Sequence, residues 1–375
     1  MAASSRFKKM TDIFQLALSK TYGIGSAIAQ EIIKNIGSAR ALFEMNEADL
    51  RFIFKNREKT IQDILSRRMF NDCEKELEFM QKYNIRSYFF TDENYPSRLK
   101  NIPDKPVCLF VQGNGSLEYP RIVAVVGSRK CSDYGLQITQ RITEELQKLG
   151  AIVISGLAYG IDSAAHRNCL NRNIPTFAVM GTGLDRIYPK EHFSLSQAML
   201  TNGGLVTEYF TGTKPNPYNF PARNRIIAGL SDAVIAVEAS KTGGALLTAR
   251  LANDYNREVF AVPGRIDDKN SEGCNFLIES HSANILSDMT IIEKVMSWNQ
   301  HAVTQSVFKQ EEDKGTALIG LEKKIYYKLK EKGEMDIDTL LVEMNVSAND
   351  LSSALLNMEL SDVVISKPGK VYKAL

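Results

Sequence analysis

Three glycine-centred loops and a small set of cations are the residues of this chain with the clearest chemistry. The loops are Gly127-Ser128-Arg129-Lys130, Gly156-Leu157-Ala158-Tyr159-Gly160 and Lys241-Thr242-Gly243-Gly244. Glycine lets a chain turn with positive φ and lets a ligand approach the backbone, and a helix that follows offers free amides with partial positive charge. That combination suits phosphate, although the same glycines also serve tight turns that hold no ligand. Between Tyr209 and Ser231 stand Lys214, Arg223 and Arg225 with no carboxylate, in a stretch that also supplies Tyr218 and Phe220. Lys190, near Tyr188, repeats the pairing of cation and aromatic ring. Arginine holds phosphate through two parallel donors, and an aromatic face stacks a base at roughly 1–3 kcal/mol. The competing reading is internal: loop arginines cap carbonyls or pair with nearby acids such as Glu208, and Phe220 packs in the core.

Other chemistries lack their residues. The first loop reads G-S-R-K-C-S, not the G-x-G-x-x-G of a dinucleotide fold, and no G-x-x-x-x-G-K-[ST] anchors a nucleoside triphosphate. Ser128, Ser155, Asp162, His166, Asp185 and Glu238 lie near strand ends, but no G-x-S-x-G elbow joins them, and His166, His192, His281 and His301 have no metal-ligand spacing. Asp162 reads as a helix cap. A nucleotide-processing Rossmann-like hydrolase is the enzymatic alternative, and it needs a carboxylate just after a glycine-rich turn. Thr242 to Thr248 contains none. No catalytic residue, metal or cofactor is expected.

The elements that position these loops are short apolar runs: Ile122 to Gly127, Ala151 to Gly156, Thr176 to Gly181, Gly204 to Tyr209, Ala233 to Ala239 and Glu258 to Gly264. Near-continuous apolar character is what strands buried on both faces require, and helical patterns lie between them. The expected fold is α/β, a doubly wound Rossmann-like parallel sheet whose ligands sit beyond the carboxyl ends of the strands. The 375 residues, 44% apolar and 24% charged, allow two or three domains. Residues 1–95 are expected to form a helical domain, 96–300 the sheet domain, 301–317 a polar linker with Glu311, Glu312 and Asp313, and 318–375 a winged helix. Basic and acidic residues number 15 and 13, 21 and 19, and 10 and 12 in residues 1–95, 96–300 and 301–375, so the C-terminal segment is not the basic part and any nucleic-acid site is local. Five scattered cysteines without a C-x-x-C pair read as reduced thiols. No apolar run is long enough to span a membrane, and the N-terminus is a poor signal peptide, so a cytoplasmic protein is expected.

Several long motifs together resemble the DNA processing protein A family (DprA, also called Smf). They are Gly127-Ser128-Arg129; Ser155 to Asp162 followed by Ala165-His166; Gly183-Leu184-Asp185-Arg186-Ile187-Tyr188-Pro189; Phe220 to Leu230; and Ala261-Val262-Pro263-Gly264 with Gly273-Cys274-Asn275 and Leu277-Ile278. The resemblance runs across about 121–290. It implies a protein, not an enzyme, that binds and protects incoming single-stranded DNA during natural transformation, helps load the RecA recombinase, and acts as a homodimer. Carried over position by position, the DNA site would use Gly127, Ser128, Arg129, Gly156, Lys190, Phe220, Arg223, Asn224, Arg225, Gly243 and Gly244. The dimer patch would lie near Phe276, Leu277, Ile278, Ile285 and Leu286, although Glu279 to Ala283 departs from the usual ending there.

On the flanks, Tyr22-Gly23-Ile24-Gly25-Ser26 before a helical pattern looks like a single helix-hairpin-helix (SAM-like) unit, either contacting phosphate through its turn or purely structural. The would-be recognition helix of the winged helix, Ser347 to Asp362, carries Asp350, Glu359 and Asp362 and no cation. Such a helix repels phosphate, which points to protein docking instead.

Overall fold

The computed structural model describes residues 11–298, 318–361, 363–367 and 370–374. The expected linker 301–317 and Asp362 lie outside them. The chain divides into two compact units, Met1–Thr304 and Gln305–Leu375.

A nine-stranded sheet organises the first unit. Its strands are β1 (Arg86–Phe89), β2 (Cys108–Gln112), β3 (Ile122–Val126), β4 (Ile152–Ser155), β5 (Thr176–Val179), β6 (Gly204–Thr207), β7 (Ala233–Ala236), β8 (Glu258–Ala261) and β9 (Asn284–Ile285), in the order β1-β2-β6-β5-β4-β3-β7-β8-β9. β1 and β2 join antiparallel, and the seven strands from β6 to β9 are mutually parallel. From β3 the chain steps outward through β4 and β5 to β6, then returns to β7 on the other side of β3. Strand order therefore reverses between β3 and β7, where an open α/β sheet leaves a crevice at its carboxyl edge.

Alternation along each strand divides the core between the two faces. Ile122, Ala124 and Val126 of β3 pack with Ile226, Ile227 and Leu230 of helix Asn219–Leu230 and with helix Gly244–Asp254. Val123 and Val125 face the other way, against helices Asp133–Lys148 and Ile161–Asn171. That second face continues over β2, β5 and β6, where Phe110, Ala178 and Leu205 join one core with Leu16, Leu42 and Leu50 of the N-terminal helices.

The boundary expected at 95/96 therefore falls inside a shared core. β1 lies before it and belongs to the sheet, and the six helices between Ile13 and Lys82 roof part of one face. The turn at Gly23 is engaged internally: the Tyr22 amide donates to Asp63 Oδ2 (2.8 Å), and Ser26 Oγ and Gln30 Nε2 of the following helix donate to the carbonyls of Lys105 (2.7 Å) and Pro103 (2.9 Å). The second unit contains helices Gly320–Lys332, Ile337–Met344 and Ala348–Leu360 with a three-stranded antiparallel sheet, Met335–Asp336, Val371–Ala374 and Val364–Lys367.

Candidate nucleic-acid interface

The crevice at the β3/β7 reversal is an open cleft of about 540 Å³. β3 delivers Gly127, Ser128 and Arg129 to one wall; β7 delivers Glu238, Ala239 and Ser240, followed by Gly243 and Gly244; Phe220, Arg223 and Asn224 come from helix Asn219–Leu230; and Tyr188 arrives from the loop after β5. Most of the expected residues thus converge, although they are far apart in sequence.

Backbone close approach explains several glycines. A Cβ on Gly160, whose φ is +76°, would strike the carbonyls of Ser128 and Arg129, so the second glycine loop lies directly under the first. A Cβ on Gly127 would strike Ile161, and one on Gly181 would meet the Phe220 ring that packs above it. Phe220 is half-buried, with the Tyr188 ring 5.4 Å away by centroids and the Arg129 guanidinium 6.0 Å above its ring. Tyr188 is 45% exposed, and Arg129 is exposed. Helix Gly244–Asp254 begins at Gly243 with no side-chain cap, so its first amides stand at the cleft wall without one of the usual partners. A guanidinium, two stackable rings and an open helix N-terminus therefore meet at one rim.

The remaining charges are spent inside the protein. Asp162 is buried, and its Oδ2 accepts from the amides of Gly156 (3.1 Å) and Ala158 (3.3 Å). The carboxylate occupies the anion position of the Gly156–Gly160 loop, so Gly156 has no free amide for a phosphate. Burial pushes the Asp162 carboxyl upward, against the pull of Arg223. Glu238, 1% exposed, accepts from the Ser132 amide (3.0 Å) and hydroxyl (2.5 Å), securing the start of helix Asp133–Lys148.

Residues 86–297 match the family model described as DNA recombination-mediator protein A, more than half of the chain. The chain belongs to that family. The protein Smf of Synechocystis sp. is 36% identical over 284 residues, 74% of this chain and 71% of the relative. The DNA processing protein DprA of Streptococcus pneumoniae is 42% identical over 207 residues, 55% of this chain and 73% of that one. The X-ray structure of DprA from S. pneumoniae superposes with a TM-score of 0.66 at 33% identity, covering 76% of this chain and 98% of its own. A structure of DNA processing protein A from Helicobacter pylori, described as showing a unique single-stranded DNA binding mode, superposes at 0.52 with 31% identity, covering 57% and 96%. The mixed α/β architecture with a large, mostly parallel sheet is thus the fold of DNA recombination-mediator protein A relatives.

Within this family member the arginine stretch is arranged differently from an open phosphate loop. Residues 223–225 sit inside helix Asn219–Leu230, whose positions from Arg223 to Leu230 are all buried except the half-buried Arg225. Arg223, 5% exposed, donates to the carbonyls of Gly156 (2.8 Å) and Val179 and to Asn224 Oδ1 (3.1 Å). Burial pulls its guanidinium down to about 10, which leaves it charged at neutral pH beside Asp162. Asn224 spends its amide on the Gly244 carbonyl (3.2 Å) and so braces the helix start at the cleft. Arg225 lies outside the cleft lining and pairs with Glu208 at 2.5 Å and Asp104 at 3.9 Å. Burial works against its charge, and Glu208 more than offsets that, holding the guanidinium above its ordinary value. The pairing of Arg225 with Glu208 is the internal reading that the sequence left open. Lys190 is exposed and opens a short 3-10 turn between Tyr188, on the cleft, and Glu191, beyond it. Ser240 and Pro217, which nothing in the sequence singles out, complete the rim.

The apolar patch also divides. Leu277 and Leu286 are 1% and 2% exposed core residues: Leu277 shares the inward stripe of helix Glu272–Glu279 with Gly273 and Cys274, and Leu286 follows β9 into the core. Phe276 at 38% and Ile285 at 45%, with half-buried Ile278, remain at the outer sheet edge.

Proposed function

We propose that this chain binds single-stranded DNA at the carboxyl edge of its Rossmann-like sheet, in the transformation and recombination role of its family, without catalysing a reaction. The observation that carries the reading is the exposed Arg129 guanidinium over the Phe220 and Tyr188 rings, beside the uncapped helix start at Gly243 and Gly244. Bases stack on the rings; phosphates take Arg129, Lys190 and the amides of Ser128 and Gly244, the Gly243 amide already donating to the Ser240 carbonyl at 3.1 Å. Asp162 and Glu238, the carboxylates lining the cleft, already accept internal hydrogen bonds, which supports binding over hydrolysis. Gly156, Arg223, Asn224 and Arg225 serve this site by holding its walls in place.

Delivery of the bound strand to RecA, a cytoplasmic location and a homodimer meeting through Phe276, Ile278 and Ile285 complete the reading. The N-terminal helices act as a structural helix-hairpin-helix-type roof. The second unit is a winged helix, with 301–317 as the connection to it; its helix Ala348–Leu360 presents Leu356 and Leu360, 57% and 77% exposed, alongside Asp350 and Glu359. Such a face docks protein rather than duplex DNA. Gel shifts of the wild-type protein with oligo-dT and with a duplex of equal length test the proposal. Binding to oligo-dT with weak duplex binding is expected; absence of any oligo-dT shift overturns it.

A further inference from the structure

A second depression lies on the far side of the loop that carries Arg129. This trough, of about 690 Å³, is lined by Arg129, Lys130 and Arg167, by Tyr159 and Leu136, and by Glu191. The three cations are exposed, and Tyr159 and Leu136 are 44% and 42% exposed. The single carboxylate among these six is engaged: Tyr159 donates its hydroxyl to Glu191 Oε2 at 2.6 Å. The Tyr159 ring also stands edge-on to His192 at 5.0 Å, and the buried His192 donates Nδ1–H to the Leu157 carbonyl at 2.8 Å. The ring is therefore fixed in orientation, and the Arg167 guanidinium is steadied by a 3.3 Å bond to Ser163 Oγ.

The charge balance separates the two depressions. In the cleft, Arg223 is buried and its guanidinium is taken up by the carbonyls of Gly156 and Val179, and Arg129 is the exposed cation among the described lining residues. The trough has three exposed cations against one tyrosine-bonded carboxylate. Arg129 belongs to both, so the Ser128–Lys130 loop is a ridge with a ligand surface on either side.

We propose that the trough is a second subsite for the same single-stranded polynucleotide, which crosses the ridge at Arg129, lays phosphates on Lys130 and Arg167, and rests a base against Tyr159. This rests on the single-stranded DNA reading of the cleft and sets its footprint. The cleft alone holds a short oligomer, and cleft plus trough hold a longer one.

Fluorescence anisotropy with dT5 and dT15, across a salt series, tests this on the full chain. The wild type binds dT15 more tightly than dT5. Lys130→Ala/Arg167→Ala lowers dT15 affinity about tenfold, reduces the slope of log K against log salt by about 1.4 for two lost phosphate contacts, and leaves dT5 affinity unchanged. Both side chains are exposed, so an unchanged melting temperature is the control for folding. Equal losses for dT5 and dT15, or none for either, overturn the trough while the cleft reading stands. Failure of the wild type to bind either oligomer removes both.

Discussion

Replacing Arg225 with alanine separates an internal brace from a phosphate contact. Its side chain is 17% exposed, as is that of Glu208, with the two 2.5 Å apart and Asp104 at 3.9 Å. Removal of one partner from a buried pair costs about 3–5 kcal/mol, because the other charge stays behind unpaired. At roughly 2 °C per kcal/mol, the low end of the 2–4 °C range for domains somewhat smaller than this unit, Arg225→Ala lowers the melting temperature by on the order of 6 °C. Glu208→Gln in the same chain returns part of the loss, since the stranded carboxylate is gone. Below the new melting point the salt slope of oligo-dT binding stays at the wild-type value, because Arg225 neutralises no phosphate. Arg129→Ala does the reverse: the slope falls by about 0.7 and the melting temperature is unchanged. Calorimetry and salt-dependent anisotropy on these variants read both quantities. An Arg225→Ala protein with wild-type stability and a slope reduced by about 0.7 refutes the internal assignment.

His166 gives a pH prediction. Its Nδ1 meets Thr176 Oγ1 at 2.7 Å, and that hydroxyl donates to the Val153 carbonyl, so Nδ1 carries the proton and the buried Nε2 has no partner among the described residues. Burial pushes the imidazole from 6.5 down to about 3. The unfolded chain therefore takes up this proton first, and stability is lost as pH falls from about 6.5 toward about 3, by up to about 1.4 kcal/mol per pH unit. His166→Gln keeps a donor to Thr176 and is expected to flatten this decline in urea titrations at pH 6 and 4; identical slopes count against it. Gly160→Ala, at φ +76° and against the Ser128 and Arg129 carbonyls, is expected to displace the ridge and weaken oligo-dT binding several-fold, whereas Gly212→Ala, at φ +78° with no neighbour in reach, leaves binding unchanged. Equal affinities for the two variants would detach the ridge from the site.

How much of this was legible in the sequence depends on how local each signal is. The six β-branched runs appear as β3 to β8, since two-sided burial writes itself into a continuous apolar stretch. β2 sits among prolines that read as a boundary, and two-residue β9 is too short for any pattern. Gly127, Arg129, Phe220 and Gly243 do line one cleft, because strand-end loops of a parallel sheet converge on one edge whatever lies between them. The division of the arginines was not legible. Arg129 and Arg223 look equivalent as letters, and what separates them is the burial of Arg223 against the Gly156 and Val179 carbonyls, which meet it only through a fold that the local pattern does not encode. The shared core of the N-terminal helices is likewise long-range: Leu16 and Leu205 meet only after the sheet is assembled.

Photocrosslinking of 4-thiothymidine-substituted oligo-dT to the full chain, followed by peptide mass spectrometry, tests the central claim most directly. The account predicts adducts on peptides carrying Ser128 to Lys130, Tyr188 and Phe220. Adducts confined to the N-terminal helices or to helix Ala348–Leu360 would contradict it.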